Sequence, residues 1–246
     1  MKNNIFIPIV MTMAAIIAAT YSLNFFPQYG AQLSGDTAVW GQFGDYIGGT
    51  LNPILSFTSV VLLIRSLTLQ NEANEALKNE LKNSERTENF RTFSTLFFSM
   101  LESQRAIFSN FKVTDVSTTR PLIISGTAAV IFIEQKIEEL RDAGADDAKI
   151  SEFLDNIDTD DQIFGILRAF YITVKTICER LNKNNGFKEN VAKEQIFSLV
   201  NFTDFAQLRL VVIGIQFLQY KSCSYLKNNE LFLDALDEMH LKLDLY

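Results

Sequence analysis

The sequence predicts an all-α protein in three parts: a two-helix transmembrane hairpin over residues 1–65, a helical stalk over 66–89 and a cytoplasmic helical bundle over 90–246. Three observations predict it. Two charge-free apolar runs stand near the start of the chain. Residues 54–120 contain neither Pro nor Gly, and beyond them apolar residues recur at helical spacing, with no alternating strand pattern of useful length.

No charged side chain lies between Lys2 and Asp36, and within this stretch Ile5–Leu23 is an apolar run of 19 residues. As a helix rising ~1.5 Å per residue it spans roughly 28 Å, close to the ~30 Å hydrocarbon core of a bilayer. A second charge-free run of 19 residues, Tyr46–Ile64, is bracketed by Asp45 and Arg65. Each reads as a spanning helix, because lipid offers no partner to an unpaired backbone group. For the first run the alternative is a cleaved secretory signal. The single Lys before it, its length and the lack of a small-x-small site after it count against that. For the second the alternative is a buried core helix, since Thr50, Asn52, Ser56, Thr58 and Ser59 dilute it.

Positive charge sets the orientation. Residues 24–45 carry Asp36 and Asp45 but no Lys or Arg, whereas Lys2 precedes the first run and Arg65, Lys78, Lys82 and Arg86 follow the second. Both termini are therefore expected in the cytoplasm. Tyr21, Phe25, Phe26, Tyr29, Trp40, Phe43 and Tyr46 fall near the outer interface, where aromatic rings settle.

The second run starts in the most unusual stretch of the chain, residues 40–53, which holds Gly41, Gly44, Gly48 and Gly49. Gly44 and Gly48 share a helix face and permit close approach of another backbone. Asn52 can hydrogen-bond to a neighbouring helix, and Pro53 removes a backbone donor. Gly44, Asp45, Gly48, Gly49, Asn52 and Pro53 are the candidate membrane seam, with a flexible loop leading into a helix as the alternative. Asp45 is the member to watch, because an acid at the edge of a span is costly unless exposed or paired.

After Arg65 the chain turns polar. Ala73, Leu77, Leu81 and Ser84 leave a thin apolar stripe, consistent with a stalk or a short coiled coil. At Phe90 the character changes again: Phe93, Leu96, Phe97, Met100, Leu101, Ile107, Phe108 and Phe111 form a broad apolar face. A loop is expected at 114–121. Helices follow near 127–142, with Ala128, Ile131, Ile137 and Leu140 inward and Gly144 as a stop, then 146–157, 160–184, 189–200, 204–220 and 230–243.

Composition narrows the chemistry. With 22 Lys+Arg against 29 Asp+Glu the net charge is −7, so little direct nucleic-acid contact is expected. A single His (His240) and two Cys (Cys178, Cys223) exclude a Cys/His zinc site within one chain. Cys178 reads as a small core residue and Cys223, among polar neighbours, as exposed. Asp155, Asp158, Asp160 and Asp161 lack the Gly and Glu of a calcium loop and read as helix-capping and solvated acids. No nucleophile elbow or phosphate-binding loop occurs, so no cofactor and no enzymatic activity are expected.

The segment Trp40-Gly-Gln-Phe-Gly-Asp-Tyr-Ile-Gly-Gly-Thr-Leu-Asn-Pro-Ile-Leu-Ser-Phe57, followed by a polar helix through Leu69-Gln70, resembles the bacterial membrane proteins assigned to phage abortive infection. The Gly-Asp-x-x-Gly-Gly-x-x-x-Pro core is its specific part. Phe97–Leu101 and Arg168–Lys175 extend the likeness, which covers residues 35–220, and Gly126–Phe132 echoes a further glycine-plus-aromatic helix. At Phe205–Leu210 the chain departs from the family, which usually carries an acid before the leucines; here Arg209 and Asp204 are the nearest charges. The resemblance implies an anti-phage effector of the bacterial inner membrane that damages that membrane on activation and acts through homo-oligomers in the bilayer. The chain is also similar to the two-span effectors of some retrons. That implies restraint by a partner, a reverse transcriptase with its RNA–DNA product. A non-toxic membrane scaffold or sensor, docking a cytosolic enzyme through the bundle, is the reading from a different class.

Overall fold

The computed structural model describes residues 6–29, 35–115 and 121–246; the side chains it describes exclude those of residues 6, 7 and 24–29. Lys2, the tip of the loop at 30–34, the side chains of Phe25, Phe26 and Tyr29, and 116–120 of the expected later loop thus lie outside the described residues. The protein is mostly helical, and it divides into residues 1–81 and 82–246.

The first unit contains α1 (Phe6–Tyr29) and the larger part of α2 (Thr37–Ser109). Asp36 Oδ1 accepts from Ala38 N at 2.9 Å, a side-chain cap on the first turn of α2. Within α2 lies an 18-residue window long and apolar enough to cross a membrane, none of it buried. The apolar stretch of α1, Pro8–Leu23, is shorter. Hydroxyls inside both stretches fold back on their own helix. Thr12 donates to Pro8 O at 2.7 Å, Thr58 to Ile54 O at 2.8 Å and Ser59 to Leu55 O at 2.8 Å. These bonds satisfy several of the hydroxyls that dilute the apolar runs.

The second unit opens with the end of α2, which buries Phe93, Phe97, Gln104 and Phe108. Its buried face is narrower than the sequence predicted: Leu96 and Ile107 stay more than a third exposed. Residues 112–115 (β1) and 122–125 (β2) pair as an antiparallel hairpin with Val113 opposite Ile124. This corrects the expectation of no strand. Four residues per strand are too few for alternation to register, and only Val113 is fully buried.

Seven helices follow: α3 (Thr127–Asp142), α4 (Asp147–Ile157), α5 (Gln162–Arg180), α6 (Glu189–Phe202), α7 (Phe205–Phe217), α8 (Lys221–Lys227) and α9 (Glu230–Glu238). α3 ends as predicted. Gly144 takes a left-handed φ of 78°, and Ala145 N closes back on Leu140 O at 2.9 Å. Its inward face is corrected, however, to Ala129, Val130, Ile133 and Ile137, with Ile131 42% exposed. The partner decides: Glu134 must meet Arg209 of α7. The last helix stops at Glu238, short of 243, and His240 lies beyond it with a positive φ of 56°. The short α8 was not anticipated.

α7 is the axis of the bundle, buried along most of its length and packed against α3, α4, α5 and α8. α6 and α7 meet at 112°, and their apolar character belongs to this core. Close packing explains Gly214. A Cβ there would stand 2.6 Å from both methyls of Leu167, itself fully buried in α5. Gly214→Val should therefore destabilise the body by ~1–3 kcal/mol in denaturant titration, and Leu167→Ala should recover part of that loss in the double variant.

Burial also pushes two phenols up. Tyr220 rises to about 12, with Asp155 and Asp158 adding to the effect, and Tyr225 to about 12, with Cys178 beside it. Folding thus favours their protonated forms, a contribution complete below about pH 10 and lost as pH rises through the folded values. The denaturation midpoint should fall as pH climbs from about 10 to 12, and Tyr220→Phe should blunt that fall.

Candidate functional site

The candidate seam is helical throughout. α2 begins at Thr37, so the flexible-loop reading of residues 40–53 is corrected: the glycines lie inside the helix, which continues through Pro53. At 100° per residue they form two adjacent ridges, Gly44–Gly48–Asn52 and Gly41–Asp45–Gly49–Pro53. Nothing lies within 4 Å of a Cβ placed at Gly41, Gly44 or Gly49, and at Gly48 the nearest atom is Asn52 Nδ2 at 3.8 Å. The two ridges therefore make a shallow, unoccupied surface without side-chain cover. Pro53 leaves the Gly49 carbonyl without its i+4 donor, placing an acceptor in the middle of the seam.

The opposite face of α2 is partly covered. Ile47, Leu51, Ile54, Thr58 and Val61 are half-buried at spacings of four and three, as are Val10, Ala14, Ile17 and Tyr21 of α1. The Tyr21 ring lies 4.8 Å from Phe43 and 5.3 Å from Tyr46, so the two helices meet on that face. Asp45, Gly49, Asn52 and Pro53 stay exposed on the other side, and Gly48 is half-covered between them.

The second unit carries a different feature. A cavity of about 350 Å³ between the end of α2 and the α6–α7 junction is lined by Gln104, Arg105, Asp204 and Gln207, among others. Gln104 and Gln207 are each 3% exposed. Gln104 Nε2 donates to Thr173 Oγ1 at 2.5 Å, and Thr173 in turn donates to Ala169 O at 3.0 Å. Gln104 Oε1 and Gln207 Nε2 have no hydrogen-bond partner. Sequence reasoning missed this pair, although the signal was there: Gln104 occupies a core position in the stripe of Phe93, Phe97 and Phe108.

Arg209 Nε and the Ser222 hydroxyl also lack a partner. Arg209 NH1 donates to Glu134 Oε2 at 2.7 Å and the Tyr246 hydroxyl to Glu134 Oε1 at 2.5 Å, tying α7, α3 and the chain end together. Burial, with Glu134 adding to it, pushes the Tyr246 phenol up. In the acidic cluster, Asp158 accepts from Ile163 N at 2.8 Å and Phe164 N at 3.0 Å, capping α5 as expected of a helix-capping acid. Cys223 is corrected from exposed to buried, at 2%, and burial pushes its thiol up. Cys178 is half-buried, with Asn229 Nδ2 3.5 Å from its Sγ. Among the described residues no group of three or more His, Cys, Asp or Glu is placed to hold a metal ion.

Comparison with family models, curated proteins and solved structures finds no match to this chain.

An unpartnered buried amide atom costs ~1–3 kcal/mol. Gln104→Met, which keeps the shape and leaves Thr173 bonded to Ala169, should leave stability unchanged or raise it by ~1 kcal/mol. Denaturant titration of the purified chain reads this directly.

Proposed function

We propose that the protein is a membrane-embedded effector of bacterial anti-phage defence, damaging the inner membrane when its helices associate. One observation carries the reading. α2 presents a long apolar surface that no described residue covers, with Phe57 72%, Leu63 60% and Ile64 59% exposed, and then runs unbroken into a helix end that buries phenylalanines. A surface of that kind is tolerated in lipid, and in water it drives association.

In this reading both helices of the first unit span the bilayer with both termini in the cytoplasm, Arg65 and the later basic residues following the positive-inside rule. The ridges of Gly44, Gly48 and Asn52 and of Asp45, Gly49 and Pro53 form the seam. Between helices in lipid there is no hydrophobic drive, so close backbone approach across glycine supplies the attraction. The body acts through contacts rather than chemistry. A reverse transcriptase with its RNA–DNA product is the restraining partner that the retron likeness suggests, and the acidic body would meet it chiefly through protein.

A non-toxic scaffold or sensor remains the second reading. It is favoured by Phe98 and Phe202, each 60% exposed, which line one surface hollow of the bundle beside Glu102 and Arg105.

Induced expression should depolarise cells and admit an impermeant dye. Gly48→Leu should cut both by about tenfold, the effect of ~1.4 kcal/mol on association, while the protein still fractionates with membranes. Full depolarisation by Gly48→Leu would overturn the seam. Intact membranes with a co-purifying cytosolic enzyme would favour the scaffold.

A further inference from the structure

The stalk segment of α2 has no cover of its own. Every residue from 62 to 92 is exposed, although Leu67, Leu77 and Leu81 are 51%, 58% and 57% exposed apolar side chains. A solitary helix with so many Asn and so few stabilising side-chain pairs is marginal in water. Its composition is nevertheless ordered. Leu67, Gln70, Asn74, Leu77 and Leu81 follow one another at spacings of three, four, three and four, the heptad seam of a coiled coil. Glu72, Glu75, Lys78 and Glu80 all fall off this stripe.

We infer that this stripe is a homodimer seam in which two copies of α2 pair in parallel through Leu67, Asn74, Leu77 and Leu81. The inference deepens the proposed function and rests on it in one respect: two copies anchored in the same bilayer present their stalks in the same direction. A parallel two-fold pair sets each seam residue against its own copy. Leucine meets leucine, and Gln70 and Asn74 meet amides that both donate and accept, whereas a charge at any of these positions would repel itself. None is charged, and neither the Gln70 nor the Asn74 side chain makes a hydrogen bond among the described residues, so both amides can bond across. An Asn at a core position of the heptad is the device that fixes register and favours two strands at a cost in stability.

Carried backwards, the same spacing leads through Leu63 and Val60 to Pro53 and Gly49. The stripe thus reaches the exposed Gly49 and Pro53 of the candidate seam, and its next step back, Tyr46, is the residue that meets Tyr21 of α1.

The test is disulfide trapping of the full-length protein in native membranes, with the parent chain, which keeps Cys178 and Cys223, as background. Leu67→Cys, Asn74→Cys, Leu77→Cys and Leu81→Cys should each give a band of twice the chain mass on mild oxidation. Glu72→Cys and Asn79→Cys, on the far side of the helix, should give at least about tenfold less, since bridging requires Cα atoms within ~7 Å. Equal trapping at all positions, none at the seam positions, or a seam adduct with the mass of a different protein would each overturn the inference. The effector reading fails separately. Position-specific trapping without depolarisation would leave the dimer standing and remove the toxin, and depolarisation without position-specific trapping would do the reverse.

Discussion

Everything in this protein is organised around one helix whose apolar side chains outnumber the protein surfaces available to cover them. A buried Leu or Phe gains roughly 1.5–3 kcal/mol over an exposed one, and along α2 that gain is realised inside the protein only near its end, at Phe93, Phe97 and Phe108. Upstream, α1 covers a single face. Several hydroxyls of the same region meanwhile return to their own helix, Thr58 to Ile54 O and Ser59 to Leu55 O. A helix that turns hydroxyls back on its own carbonyls and leaves apolar side chains uncovered suits lipid, where unpaired polar atoms are costly.

The body solves the opposite problem. Its axis, α7, is apolar on nearly every face, so it can exist only when surrounded, and α3, α4, α5 and α8 do so. Fixing it in rotation takes directional contacts. The Arg209–Glu134 pair supplies one, leaving Ile131 outside and bringing Ile133 in, and Asp204, accepting from Ala206 N at 2.8 Å, anchors its first turn. The unpartnered amides of Gln104 and Gln207 show a residual mismatch where α2 enters. A core built for stability alone would hold apolar side chains there.

Much of this was legible in the sequence because its signals are local. Gly144 stops α3 where a left-handed residue was needed, Asp146 accepts from Lys149 N at 3.0 Å to cap α4, and the apolar stripe beginning at Phe93 marks the switch from stalk to core. What escaped depends on partners distant in the chain. The inward face of α3 is chosen by Arg209, 75 residues away. Cys223 is buried by packing that its polar sequence neighbours do not reveal. The β-hairpin needed pairing across a loop, and α8 is too short for periodicity to show. Within the seam, Gly44, Gly48 and Pro53 could be placed on paper, but whether they lay in loop or helix turned on the cap at Asp36.

Under the proposed pairing, the outward face of α2 would associate through glycine in one part and through leucine in another. In water, leucines gather because their hydration is lost on contact, so the stalk stripe is built from Leu with amides to set register. In lipid that driving force vanishes, because a leucine is as well solvated by acyl chains as by another leucine. Attraction then comes from close backbone packing and from exposed carbonyls, which Gly49 and Pro53 provide. Along that stripe the last glycine is Gly49 and large apolar side chains resume at Val60 and Leu63, before Arg65, so the proposed pairing surface would pass from glycine packing to side-chain packing inside the charge-free run.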